Sequence, residues 1–211
     1  MQKYTYEIET FDFAQEIKTL FDIEHLDEIH SEWSGAKAYE VLNDVATDQR
    51  TVYHRHFYDN VQHTNWYSIY EKFVKLVVVP IVGEPIYYQK IPTFRVHQPG
   101  NLAVAAYHRD VDYSHSVHEM NFFLPLTKAF GNNTIWSETE VDKEDYQPLE
   151  ASYGETWYWS GATLMHGNKL NDTGKSRVSV DFRVIPQSKY VDEGKLSITN
   201  KTKMILGEYW K

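Results

Sequence analysis

The sequence predicts a mainly β protein with helices in front, its core a double-sheet fold of the jelly-roll or cupin-like kind. Three observations carry this. Apolar residues recur three and four apart up to Val82, whereas beyond Pro85 the period shortens to two. Roughly eight short strand-like runs then follow one another, separated by Gly-, Asn- and Pro-bearing turns. Aromatic residues make up 15% of the 211, including 16 Tyr and 6 Trp, which suits a β-rich core around a deep pocket better than a helical bundle.

The elements are predicted in order as follows. Phe13, Ile17, Leu20, Phe21, Leu26 and Ile29 put one or two short amphipathic helices in 11–33. Thr47-Asp48 caps a helix over 47–62 with Val52, Tyr53, Phe57 and Val61 on one face. Asn65 caps the next, which carries Trp66, Ile69, Tyr70, Phe73, Val74 and Val77 and stops near Pro80 and Gly83. Strands are predicted at 86–98, 102–108, 117–126, 133–138, 147–152, 156–160, 162–166 and 176–185, with turns at Pro99-Gly100, Gly131–Asn133, Tyr153–Glu155, Ser160-Gly161 and Asn171–Gly174. Residues 189–211 carry no pattern that places them. The chain reads as one domain over 1–211, with a helical N-terminal support region (1–84), a β core (85–186) and a C-terminal tail (187–211). On the strand at 176–185, Val178, Val180, Phe182 and Val184 line one face, and Arg177, Ser179, Asp181 and Arg183 line the other.

Charge and composition narrow the function. A net charge of −9 with no basic face argues against nucleic acid as partner. Zero cysteines leave His, Asp and Glu as the only side chains for a metal and are compatible with a cytoplasmic setting. No apolar signal core follows Met1 and no window approaches 18 apolar residues, so no membrane is expected. The expected partner is a small molecule.

The chemistry-bearing stretch is Tyr107-His108-Arg109-Asp110-Val111-Asp112. On a strand, His108 and Asp110 share a face and can hold one metal ion. With 10 His and 13 Asp in 211 residues, chance supplies about half of one His-x-Asp pair, and His25-Leu26-Asp27 is a second instance. The rest of the constellation lies downstream. If the sheet folds on itself as a jelly roll, His108 and Asp110 converge with His166 of Leu164-Met165-His166-Gly167-Asn168 and with Arg177, eleven residues further on. Two imidazoles and one carboxylate leave three adjacent positions open on a non-haem iron. An arginine beside them can clamp the far carboxylate of a dicarboxylic acid, and Ser179 can add a hydrogen bond.

On His108-x-Asp110, His166 and Arg177-x-Ser179, in that order over 86–186, the sequence resembles the Fe(II)- and 2-oxoglutarate-dependent oxygenases with a double-stranded β-helix core, in particular the phytanoyl-CoA hydroxylase-like and antibiotic-biosynthesis branches. The resemblance implies that His108, Asp110 and His166 ligate Fe(II), that Arg177 and Ser179 hold the 5-carboxylate of 2-oxoglutarate, and that O2 is consumed with release of succinate and CO2. Because Asp110 is present, it implies hydroxylation, or desaturation or ring formation, rather than halogenation. Helices such as those in 1–84 buttress the major sheet in this family. Arg183, on the same strand face, is the alternative to Arg177. Rivals from other classes are a cupin-like isomerase or sugar-binding protein without oxygen chemistry, and a catalytically silent jelly-roll module.

Other residues are candidates for substrate contact or for supporting the ligands. Arg95 and His97 share one face of a strand next to the site and can bind a carboxylate or a 2-oxoglutarate oxygen. Asn121, Asp112, Trp136, Tyr107 and Glu138 are pocket candidates. His115 and His118 form a second histidine cluster, with a substrate-facing or structural role favoured over metal ligation. The acid-rich run 138–145 reads as a solvated loop.

Overall fold

In the computed structural model, which describes residues 1–38, 51–103, 106–197 and 202–211, helices lead and strands follow. Strand β1 (Gln2–Thr5) precedes helices α1 (Phe13–Phe21), α2 (Ile29–Glu32), α3 (Val52–Asn60) and α4 (Trp66–Phe73), the last running through a π-helical turn at Val74–Val78 into α5 (Val79–Val82). Then come β2 (Ile86–Tyr88), β3 (Thr93–His97), β4 (Met120–Pro125), β5 (Ile135–Ser137), β6 (Gln147–Pro148), β7 (Glu155–Trp159), β8 (His166–Asn168) and β9 (Arg177–Pro186).

The helices form where the apolar spacing places them, with different ends. Asp12 caps α1 by accepting from Gln15 N–H at 3.1 Å. Helix α3 is capped by Thr51, whose hydroxyl accepts from His54 N–H at 3.3 Å; the predicted cap at Thr47-Asp48 lies outside the described residues. Asn65 makes no side-chain cap bond; Thr64 Oγ1 accepts from Trp66 N–H at 3.2 Å instead. Pro80 does not end the helix. Its missing N–H and its ring would disrupt a regular turn, and the wider π turn just before it accommodates both. The stop is Gly83, at φ 82°, where a side chain would be strained.

Strand β9 is the hub of a six-stranded antiparallel sheet with the order β1-β7-β4-β9-β2, β3 also pairing with β9. Beside β4, Met120 lies opposite Val184 and Pro125 opposite Ser179. On its other edge, Ile86 lies opposite Pro186 and His97 opposite Arg177. The predicted strand 86–98 is thus two strands, interrupted at Pro92, which has no N–H for the ladder. A second antiparallel sheet has the order β6-β5-β8.

Each face of β9 meets a different environment. Val178, Val180, Phe182 and Val184 pack with the helices: Phe182 stacks on Phe122 at 5.3 Å and meets Tyr70 edge-on at 5.2 Å, and Phe57 stacks on Phe94 at 4.2 Å. Fully burying each such ring contributes about 1.5–3 kcal/mol. The opposite face, with Arg177, Ser179, Asp181 and Arg183, turns inward with Phe123, whose cluster includes Ile135, Leu149, Trp159 and Leu164.

Two predicted strands are corrected. Among the described residues of 102–108, only His108 makes a strand-like bridge, to His166; Asn101 Oδ1 caps Ala103 N–H, which turns the chain at φ 50°. Residues 104 and 105 lie outside the described residues. Over 162–166, Thr163 and Leu164 N–H both go to the Ser160 carbonyl, so a turn fills the segment and β8 starts only at His166. Strand β1 was not predicted; it pairs with β7. The tail is also placed: Lys211 exchanges backbone hydrogen bonds with Tyr88, and Met204, Tyr209 and Trp210 bury themselves against Ile185. Among the described residues, no helix is long and apolar enough to cross a membrane.

Candidate metal centre

His108 and His166 are brought together by the backbone. The two residues form an antiparallel bridge, with N–H···O bonds of 2.9 and 3.0 Å, and their rings lie 4.5 Å apart. Asp110 opens a 3-10 turn (Asp110–Tyr113), so the pair at i and i+2 converges without a regular strand. Its N–H donates to the Gly161 carbonyl at 3.0 Å, tying it to the turn before His166. One donor atom from each of the three side chains lies within 4.8 Å of the others. Asp110 Oδ1 is 3.7 Å from His108 Nε2 and 3.8 Å from His166 Nε2.

The surroundings orient these atoms. Nδ1 of His108 lies 2.9 Å from the Ala106 carbonyl and Nδ1 of His166 lies 3.0 Å from the Leu164 carbonyl. A carbonyl only accepts, so both protons sit on Nδ1 and both Nε2 lone pairs face Asp110. Burial, and then the neighbouring His166, lower the pKa of His108, which keeps its imidazole neutral. The outer oxygen of Asp110 is occupied: Oδ2 accepts from Asn121 Nδ2 at 2.7 Å and from Arg183 Nε at 2.8 Å. Burial alone would raise the carboxyl pKa, but Arg183 outweighs it and holds Asp110 well below the usual carboxylate range. Oδ1 is therefore the oxygen presented to a cation, flanked by two imidazole nitrogens.

Inward along β9 lie the other predicted residues. Arg177 is fully buried, with its guanidinium 5.4 Å from the Phe123 ring. Ser179, also fully buried on that face, has a hydroxyl with no hydrogen-bond partner among the described residues. Arg95 stands opposite Ser179 and pairs with Asp181.

Several candidates sit elsewhere than their sequence reading suggested. Arg183 is engaged with Asp110 Oδ2 at 2.8 Å, in a supporting position rather than open to the strand face. His97 is fully buried with Nε2 2.8 Å from the Asn101 carbonyl and Nδ1 3.2 Å from that of Asn133. Burial and then Arg177 push its pKa down to about 3, against the two carbonyls, which raise it; the ring braces the backbone beside Arg177. Trp136 pairs with Gly167, on the face of β5 away from His166, and lies under Lys169. Asp112 is exposed and accepts from Arg109 N–H at 3.2 Å. Tyr107 meets Tyr146, and Glu138 caps the N–H groups of Glu144 and Met165. The twin motif has no metal geometry: His25 pairs with Glu32 and Asp27 with Lys175. Sequence reasoning missed Gly161, where a Cβ would stand 2.8 Å from Asn121 Cγ and 2.9 Å from Trp159 Nε1. It also missed Glu119, buried beside Arg183; a lone glycine in a turn and a lone acid carry no sequence signal of such roles.

Fold and site together define a two-sheet antiparallel β protein, faced with helices, that presents two histidines and one carboxylate to a common point. No protein-family model matches the chain. The streptomycin biosynthesis protein StrG of Streptomyces griseus is 39% identical over 216 residues, covering 100% of this chain and 98% of StrG. The chain belongs to the StrG family. Similar solved structures include AviO1 from Streptomyces viridochromogenes Tue57, at 13% identity and TM-score 0.48 over 87% of each chain. Another is the apo form of the non-heme monooxygenase ThoJ, at 12% identity and TM-score 0.49 over 86% of this chain and 71% of that one. HygX from Streptomyces hygroscopicus, with nickel and 2-oxoglutarate bound, aligns at 10% identity and TM-score 0.43 over 56% of this chain and 65% of that one. Identities this low transfer no residue roles.

Proposed function

We propose that this protein is an Fe(II)- and 2-oxoglutarate-dependent oxygenase that hydroxylates a small metabolite, with the two sheets as the walls of a double-stranded β-helix. The observation that carries the reading is the convergence of Asp110 Oδ1 with the two Nε2 atoms while every other polar atom of the three side chains is occupied. The donor set fits the metal: nitrogen and oxygen ligands without thiolate suit a redox-active iron and leave part of its coordination sphere open. The co-substrate fits as well. Arg177 offers a buried cation with fork geometry, and the Ser179 hydroxyl on the same face lacks a partner among the described residues.

When bound, iron with 2-oxoglutarate and O2 supplies the oxidising power for attack on a C–H bond, with release of succinate and CO2. The residues provide the setting. His108 and His166 offer neutral nitrogens whose tautomers the backbone fixes, and Asp110 offers one oxygen because Asn121 and Arg183 hold the other. Arg177 and Ser179 orient the keto acid by its far carboxylate, and Phe123 shields that end from water. Asp110 keeps a carboxylate where a halogenase would leave room for halide, which supports hydroxylation. The name of StrG supports a small biosynthetic intermediate as the substrate class.

Aerobic incubation with Fe(II) and 2-oxoglutarate is expected to release succinate. Arg177→Gln should weaken 2-oxoglutarate binding about 30-fold or more, the effect of truncating one partner of a buried charge pair, and spare metal affinity. Wild-type affinity for the keto acid in that variant would remove Arg177 from its role.

A further inference from the structure

Glu119 is buried, 3% exposed, in the loop just before β4. One carboxylate oxygen accepts from Ser116 N–H at 2.9 Å and the other from His115 Nδ1 at 2.7 Å. The second oxygen also lies 3.9 Å from Arg183 Nε, the atom that donates to Asp110 Oδ2 at 2.8 Å. Arg183 thus faces two carboxylates. The C-terminal segment closes this arrangement: the Tyr209 ring lies 6.2 Å from that of His115, and Glu119 lines a cavity of about 20 Å³ with Ser116, Ile185, Met204 and Trp210.

The charges show why two acids meet one arginine. Asp110 paired with Arg183 alone is a neutral unit, and two neutral imidazoles add no charge. In such a ligand set the attraction of Asp110 for a dication is opposed by the guanidinium charge behind it, in a site screened from water. A second carboxylate 3.9 Å from the same guanidinium opposes that charge from the other side. It also divides the pull of Arg183 between two anions, leaving more negative charge on Asp110 Oδ1.

We propose that Glu119 is a positioning residue of the metal centre, acting on Asp110 through Arg183: it opposes the guanidinium charge behind Asp110 and so sets the affinity for a divalent cation. This rests on the reading of His108, Asp110 and His166 as metal ligands.

The test is a Co(II) titration of the apoprotein by calorimetry, with the melting transition of each variant recorded alongside. Glu119→Gln keeps the size and can keep both hydrogen bonds but loses the charge; it should bind Co(II) about 10-fold more weakly, within the range for residues that support metal ligands. Glu119→Asp keeps the charge on a shorter side chain and should stay within about 3-fold of wild type. A packing role predicts the reverse order. Wild-type affinity in Glu119→Gln, or an equal loss in Glu119→Asp, overturns the proposal. If Glu119→Gln loses its melting transition, Glu119→Asp against Glu119→Asn makes the same comparison one methylene shorter. A wild-type protein that binds no Co(II) fails earlier, at the ligand reading itself.

Discussion

Asp110 shows how much of the centre a short motif can reveal. His108-x-Asp110 and His166 are legible because metal chemistry needs those residue types. Asn121 and Arg183 are legible only as candidates near the site; their bonds to Asp110, and the close fit of Gly161, join segments far apart and depend on distance rather than spacing. Gly161 is the sharpest case. Its backbone angles do not require glycine; the close approach of Asn121 and Trp159 does. Gly161→Ala must displace the amide that donates to Asp110 Oδ2, and overpacking of this kind costs about 1–3 kcal/mol. The variant should melt lower and bind Co(II) more weakly than wild type; unchanged values for both would show that the neighbours yield without disturbing the ligand.

Among the elements, β9 was the most legible, because its strict alternation assigns one apolar face and one polar face. What the sequence left open, solvent or cavity for the polar face, is decided by the partners of β9: β4 on one edge and β2 and β3 on the other, with helices over the apolar side. Phe182→Ala should cost about 3–5 kcal/mol in urea unfolding while leaving metal affinity unchanged, since its ring lies on the helix side of the strand. A parallel loss of metal affinity would mean that the two faces are coupled. The segments at 102–108 and 162–166 misled because apolar runs of that length form either strands or buried turns. Here side-chain caps and a turn at Ser160 take the backbone groups a ladder would use. The tail was illegible because its burial depends on Tyr88 and Ile185, far away in sequence.

Across the whole molecule, buried histidines with lowered pKa values make stability depend on pH. Burial, and then Arg95, lower the pKa of His54 to about 4; burial and then Arg177 lower that of His97 to about 3. Both folded-state values lie below the ordinary 6.5, so the unfolded chain takes up these protons first as pH falls. Their contribution is complete above pH 6.5 and is lost between there and pH 4 for His54 and pH 3 for His97, at up to about 1.4 kcal/mol per pH unit for each group. Urea midpoints of the apoprotein should fall from pH 7 to pH 5, and His97→Gln should flatten that dependence. A flat wild-type profile would contradict the lowered pKa values of these buried rings.

The central claim is that the three convergent side chains hold an iron able to take up 2-oxoglutarate. The most direct measurement is an anaerobic titration of the apoprotein with Fe(II) and 2-oxoglutarate, followed in the visible range. A weak charge-transfer band that saturates with one equivalent of each, and is absent in His166→Ala, is the predicted result. Tight iron binding with no band on adding 2-oxoglutarate would contradict the oxygenase reading and favour a metal-binding protein without keto-acid chemistry.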